Sequence, residues 1–241
     1  MSESSVYDPL PENTEAVLSR IENHHRVLDV GGWWKPFNRA NYVVDYLPYE
    51  TRGGGGFIGL QQEFFSKDSW FQLDICATSF PFEDKFFDFI YCGNILEDIR
   101  DPIPVCREMI RVGQAGYIEC PRVWIECQFG IDDDLLAHLY PGFRNHRWLV
   151  DVTSMCLTFV PKLSILSALN FVSRDTFERF RNDHRMWSFG FFWEGDFETK
   201  IWIYPDREGY INYFRKYFET FDYENIRTLY GKTSDASQGS T

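Results

Sequence analysis

Arg26-Val27-Leu28-Asp29-Val30-Gly31-Gly32 reads as a buried strand that stops at a glycine pair. Val27, Leu28 and Val30 give the near-continuous apolar run of a strand covered on both faces. Gly31 and Gly32 remove side chains where the chain must turn and where a ligand can approach the backbone. Asp29 stands just before the turn, at the strand's carboxyl end, which in an open α/β sheet is the edge that binds ligands. Two readings stand side by side: a nucleotide-like cofactor held over this loop, or a buried strand followed by an ordinary glycine turn.

Working outward, Tyr42-Val43-Val44-Asp45-Tyr46 is a second strand that ends on an acid. In doubly wound folds an acid at this place accepts hydrogen bonds from ribose hydroxyls, although a merely exposed strand-end Asp has the same sequence. A third strand, Phe71-Gln72-Leu73-Asp74-Ile75, again carries an Asp near its end. The fourth, Phe87–Cys92, runs into Gly93-Asn94, and the fifth, Ala115–Pro121, carries Glu119 near its end. Pro11–Asn23 has helical spacing, and Asp101-Pro102 opens a helix that buries Cys106, Met109 and Ile110 and stops at Val112-Gly113. Strands alternating with helices predict a mostly parallel sheet. The segment after Gly32 is short for a crossover helix. It predicts a truncated helix or a compact loop packed by Trp33 and Trp34. Gly53-Gly54-Gly55-Gly56 lacks the Lys-Ser/Thr signature of a phosphate loop and reads as a mobile surface loop.

The rhythm changes after Pro121. Residues 122–145 are rich in charge and aromatics, and Asp132-Asp133-Asp134 suits either a hard cation or a solvated loop. His146–Val152 and Met155–Val160 predict a strand pair turning at Thr153-Ser154. A helix over Thr176–Asn182, a hairpin of Trp187–Glu194 with Thr199–Tyr204 about Gly195-Asp196, and a helix over Glu208–Phe221 complete the chain. The expectation is one domain over residues 1–241, with an inserted cap at about 122–172 and a disordered tail at about 231–241.

The formal net charge of −12 argues against a nucleic-acid backbone as partner, which needs a basic field. No run of eighteen apolar residues offers a membrane span, and Met1–Leu10 has no apolar core like that of a signal peptide. Six cysteines without a C-x-x-C pair fit a reduced, cytoplasmic protein.

Taken together, these segments resemble the class I S-adenosylmethionine-dependent methyltransferases, in particular the methyltransferase type 11 group. The resemblance runs over about 26–121. It is carried by Val27–Gly32, Asp45, Leu73-Asp74-Ile75 followed by Phe80–Asp88, and Gly93-Asn94-Ile95-Leu96-Glu97-Asp98. It implies a Rossmann-like α/β fold with a seven-stranded, mostly parallel sheet whose last strand is antiparallel. It also implies S-adenosylmethionine as cofactor. By the same resemblance Asp29, Gly31 and Gly32 face its aminocarboxypropyl end and Asp45 its ribose. Asp74 and Ile75 meet the adenine, and Gly93 and Asn94 line the sulfur. The implied reaction is methyl transfer to a small molecule, with an oxygen of a sugar or another secondary metabolite as the expected acceptor.

A nicotinamide-dependent dehydrogenase fits less well. Counting from Gly31, its G-x-G-x-x-G fingerprint would need glycine where Trp33 and Pro36 stand. Within the methyltransferase resemblance, Trp33 or Trp34 occupies the place of a third loop glycine, and Glu97-Asp98 stands where Glu-His is frequent. An oxygen acceptor needs a general base. His146, His138, His184, Glu119 and Glu126 are the candidates, with His146 and Glu119 the two chosen. No metal is required. A second hypothesis is a catalytically silent S-adenosylmethionine-binding module whose cap engages a protein partner.

Overall fold

The computed structural model describes residues 9–132 and 135–231. The opening stretch is a strand: β1 (Val27–Val30) is buried at every position. It pairs in parallel with β2 (Tyr42–Asp45) on one side and β4 (Phe87–Gly93) on the other. β3 (Trp70–Gln72) extends the sheet beyond β2. β5 (Gly113–Pro121) lies beside β4, followed by β8 (Ser188–Glu194) and β10 (Leu229–Gly231). The seven strands take the order β10-β8-β5-β4-β1-β2-β3. Within this sheet, among the described residues, only the β5–β8 pair is antiparallel. This is the mostly parallel sheet that the alternating pattern predicts. Its central strands are buried along most of their length because helices and loops cover both faces.

α1 (Pro11–Leu18) precedes β1. α2 (Pro102–Val112) joins β4 to β5 and buries Val105, Cys106, Met109 and Val112. Pro102 opens it as expected, but the Asp101 side chain makes no capping bond. Between β1 and β2 there is no helix. The connection is a loop, and Trp33 and Trp34 both belong to it.

The segment after β5 builds a second layer. α3 (Val123–Glu126) is followed by the antiparallel pair β6 (Trp148–Thr153) and β7 (Cys156–Pro161), turning at Thr153-Ser154 as predicted. α4 (Arg174–Phe180) leads back to β8. α5 (Arg207–Thr220) precedes β10 and buries Tyr210, Phe214 and Phe218. They join Trp124, Leu149 and Val160 in a separate core beneath this layer. Among the described residues no helix is long and apolar enough to cross a membrane.

Four details depart from the sequence reading. The predicted hairpin does not form: β9 (Glu198–Ile201) pairs in parallel with β7 in a three-stranded sheet rather than with β8. β8 is buried along all but its last residue and is flanked by β5 and β10, whereas β9 is mostly exposed and suits an edge. The third strand is shorter than predicted, because the chain leaves the ladder after Gln72 and Asp74 falls in the following turn. Gly231, assigned to the disordered tail, ends β10, while 232–241 lie outside the described residues. Of the acidic run only Asp132 is described. It accepts from the Tyr140 hydroxyl at 3.1 Å and the Arg144 amide at 3.2 Å.

Candidate active site

The loop after β1 is shaped by two close approaches. Gly31 has φ +79°, and a Cβ there would lie 2.4 Å from Cγ1 of Ile95. A Cβ on Gly32 would lie 2.1 Å from Oδ2 of Asp29. The Asp29 carboxyl therefore fills the space over Gly32, where it accepts the Phe37 amide at 2.8 Å. Burial pushes its pKa up to about 8. Asp29 is thus a brace for the 31–37 loop.

Asp45 ends β2 with both oxygens engaged. The Trp33 amide donates to Oδ2 at 2.9 Å and the Leu47 amide to Oδ1 at 2.7 Å. Burial raises its pKa, and these amides act the other way. A carboxylate has about four acceptor sites, so two remain for ligand donors.

The glycine run 53–56 is tied down rather than loose. The Gly53 amide donates to the Trp33 carbonyl at 2.8 Å and the Gly55 amide to the Trp34 carbonyl at 2.9 Å. A Cβ on Gly54 or Gly55 would fall 2.5 or 2.4 Å from the Trp34 ring. The run is a bed for an indole that remains 50% exposed.

At the end of β4, Asn94 takes φ +54° and its amide donates to the Glu119 carbonyl at 2.9 Å. The Glu119 carboxyl is buried between the Tyr117 hydroxyl and the Ser188 hydroxyl, the latter at 2.9 Å. Burial raises its pKa despite these donors.

The opposite wall comes from the layer after β5. Nδ1 of His146 donates to Oε1 of Glu126 at 2.5 Å, and Nζ of Lys162 donates to Oε2 at 2.6 Å. Nε2 of His146 lies 3.9 Å from Oδ1 of Asp98. Burial alone would lower the His146 pKa, but Glu126, Glu97 and Asp98 raise it to about 9. His146 is therefore a cation at neutral pH. Burial alone would raise Glu126, but His146 and Lys162 hold it below its ordinary range. Gly142 (φ +60°) lets the chain pass over this carboxylate, since a Cβ there would be 2.5 Å from Oε2.

These walls enclose a cavity of about 500 Å³, within the roughly 300–1,000 Å³ usual for small-molecule sites. Of the residues singled out in the sequence, it brings together Gly31, Asp45, Gly93, Asn94, Glu119 and His146. It does not bring in Asp29, Gly32, Asp74 or Ile75. Asp74 instead caps the turn after β3, accepting the Cys76 amide at 2.9 Å, and lies 3.6 Å from Arg100. Ile75 is buried in the main core. His138 and His184 are also away from the cavity wall.

The sequence reading overlooked Glu97 and Lys162 as site residues. Glu97 lines the cavity and is 1% exposed. No N–H or O–H donor among the described residues reaches its oxygens, and the weak Cys120 thiol donor lies beside it. Its sequence signals are the apolar pair Ile95-Leu96 directly before it and its place in the Gly93–Asp98 stretch that carries the resemblance. Burial pushes Glu97 to about 8. Because the folded pKa is raised, the folded state holds a proton that the unfolded chain releases near 4.5. This group's stabilisation is complete at low pH and is lost as pH rises towards 8. Glu97→Gln is expected to flatten that part of a melting-temperature profile taken between pH 5 and 8.5. An unchanged slope would show the carboxyl to be ionised throughout.

The strand order of the seven-stranded sheet, with its single antiparallel pair, is that of the Rossmann-like methyltransferase fold. Residues 58–118 match a family model described as a methyltransferase domain. The search among curated proteins returned no match. Among solved structures, the YcgJ protein of Bacillus subtilis aligns at 18% identity and TM-score 0.32, over 46% of this chain and 50% of its own. The [4+2]-cyclase SpnF aligns at 18% identity and TM-score 0.34, over 51% and 48%. A putative methyltransferase in complex with the Haloferax volcanii Trm112 methyltransferase activator aligns at 13% identity and TM-score 0.34, over 86% and 84%. The chain thus spans about half the length of the first two.

Proposed function

We propose that this chain is an S-adenosylmethionine-dependent methyltransferase acting on a small-molecule acceptor. The observation that carries the reading is one cavity with two unlike walls. Gly31, Asp45, Gly93 and Asn94 form one from the carboxyl ends of β1, β2 and β4, and His146 with Phe143 and Trp187 forms the other. The donor set fits the cofactor. Asp45 has acceptor sites left for ribose hydroxyls, and the glycine backbones allow close approach. Asp74 and Ile75 enter this reading only through the resemblance.

The bound cofactor would supply a methyl group already activated on a sulfonium. The protein's part is then alignment and exclusion of water. Asp29 and Gly32 brace the loop, Trp33 and Trp34 flank the cavity mouth, and Glu119 ties β5 to β8. At neutral pH His146, cationic and fixed by Glu126, orients the acceptor rather than taking its proton. The free thiols of all six cysteines suit a reducing compartment.

Calorimetric titration with S-adenosylhomocysteine, with NADH as control, tests the reading. Micromolar or tighter binding of the first and none of the second is expected. A folded protein that ignores S-adenosylhomocysteine would overturn it. The second reading, a silent module engaging a partner protein, draws on exposed cap residues. Leu135, Leu136 and Leu139 are 94%, 51% and 58% exposed. It predicts the same binding with no turnover on any small acceptor.

A further inference from the structure

Beside the cavity runs a second, open groove lined by Asp98, Arg144, Asn145, His146, Arg147 and Lys162. It shares Asp98, Asn145 and His146 with the cavity, so the two are continuous. Its sign is opposite to that of the molecule. A chain of net charge −12 here gathers three Lys/Arg side chains and a histidine against two acids, Asp98 in the lining and Glu126, which holds Lys162 and His146 from behind.

The arrangement is held by backbone bonds. The amides of Arg147 and Trp148 donate to the Glu97 carbonyl at 2.7 and 3.0 Å, fastening the start of β6 to the loop after β4. The Lys162 amide donates to the Arg147 carbonyl at 2.9 Å, so both cations stand at the open end of the β6–β7 pair. The Lys162 ammonium is committed to Glu126 and the Phe143 carbonyl. The Arg147 guanidinium is exposed and makes no ion pair among the described residues, although Asp98 feels its charge. A guanidinium presents a planar fork of donors that matches carboxylate and phosphate oxygens in pairs.

We propose that the acceptor of this methyltransferase carries an anionic group, a carboxylate or a phosphate, which docks on Arg147 in this groove while its reacting end enters the cavity beside His146. Docking in the groove holds the acceptor by a point remote from the reacting atom. The reaction belongs to the methyltransferase reading above, whereas the anion site can be tested independently of it.

The cavity side of the junction carries Trp33, Trp34, Phe143 and Trp187, so aromatic probes are suitable. 4-Hydroxybenzoate, phenyl phosphate and the neutral 4-hydroxybenzamide would be titrated at low salt into protein saturated with S-adenosylhomocysteine. At least one anion is expected to bind about tenfold tighter than the amide, the scale of one charge-assisted hydrogen-bonded pair. The preferred anion tells carboxylate from phosphate. Arg147→Ala should abolish the preference and Arg147→Lys should keep part of it. S-adenosylhomocysteine affinity should be unaltered in both. An amide that binds as tightly as both anions would overturn the proposal. So would the absence of binding by either anion, or a preference that survives Arg147→Ala. If the wild type fails to bind S-adenosylhomocysteine, the methyltransferase reading falls, and the same titrations on the unloaded protein still decide the groove.

Discussion

Glu126→Gln is expected to cost about 3–5 kcal/mol of stability, the usual penalty for removing one member of a buried, hydrogen-bonded charge pair. For a chain of this size that is roughly 10 °C or more in melting temperature. Glu126 is 1% exposed and receives both His146 and Lys162. An amide can accept on only one of its two terminal atoms, so one cation is left facing a donor in a dry environment. Lys162 is the more exposed to loss, since its side chain is 10% exposed and has only the Phe143 carbonyl besides.

The pH dependence follows from two signs. The folded pKa of His146 is raised to about 9. Its contribution is complete below about 6.5, the unfolded value, and is lost as pH rises through 9. Glu126 is depressed. Its contribution is present above about 4.5 and is lost as pH falls through the folded pKa. The cluster is therefore most stabilising at about pH 4.5–6.5, and Glu126→Gln should remove both flanks. Histidine NMR titration gives a second readout, because the His146 pKa should fall towards its ordinary value in the variant. A loss under 1 kcal/mol with an unmoved His146 titration would mean that water, not Glu126, solvates the two cations.

Asp45→Ala is expected to weaken S-adenosylhomocysteine binding about 100-fold. Two ribose hydroxyls donating to one carboxylate are worth roughly 1.5 kcal/mol each, and 1.4 kcal/mol is tenfold in affinity. The same substitution strips acceptors from the Trp33 and Leu47 amides. Each buried amide left unsatisfied costs about 1–3 kcal/mol, so melting must be followed alongside binding. Asp45→Asn keeps an acceptor for one amide and separates the two effects. Binding should still fall in Asp45→Asn, with a smaller loss of stability. Unaltered affinity in both variants would remove Asp45 from the cofactor site.

The sequence reading and the structure meet most closely along the sheet. β1, β2, β4, β5 and α2 are local statements: an apolar run, an Asp-Pro start, a glycine stop. Each element carries its own signal. The β6–β7 pair was legible for the same reason. The failed hairpin was not. Whether β9 joins β8 or β7 depends on which edges are already taken, and the β8 edges are filled by β5 and β10, from about 70 residues earlier and 35 later.

The site divides in the same way. Gly31, Asp45, Gly93 and Asn94 follow from strand ends, because a parallel sheet aligns those ends on one edge. By itself the sequence determined the sheet, that edge and the acids and glycines standing on it. Only the tertiary structure decided what those side chains do. It turned Asp29 into a loop brace and laid Trp34 on a glycine bed. It buried Glu97 without a strong donor, and it brought Glu126, His146 and Lys162 into contact across 36 residues of chain. Helix and strand periods are written in neighbouring residues. A buried charge cluster is assembled from loops whose meeting point depends on how the two layers pack, and no short stretch of the chain encodes that.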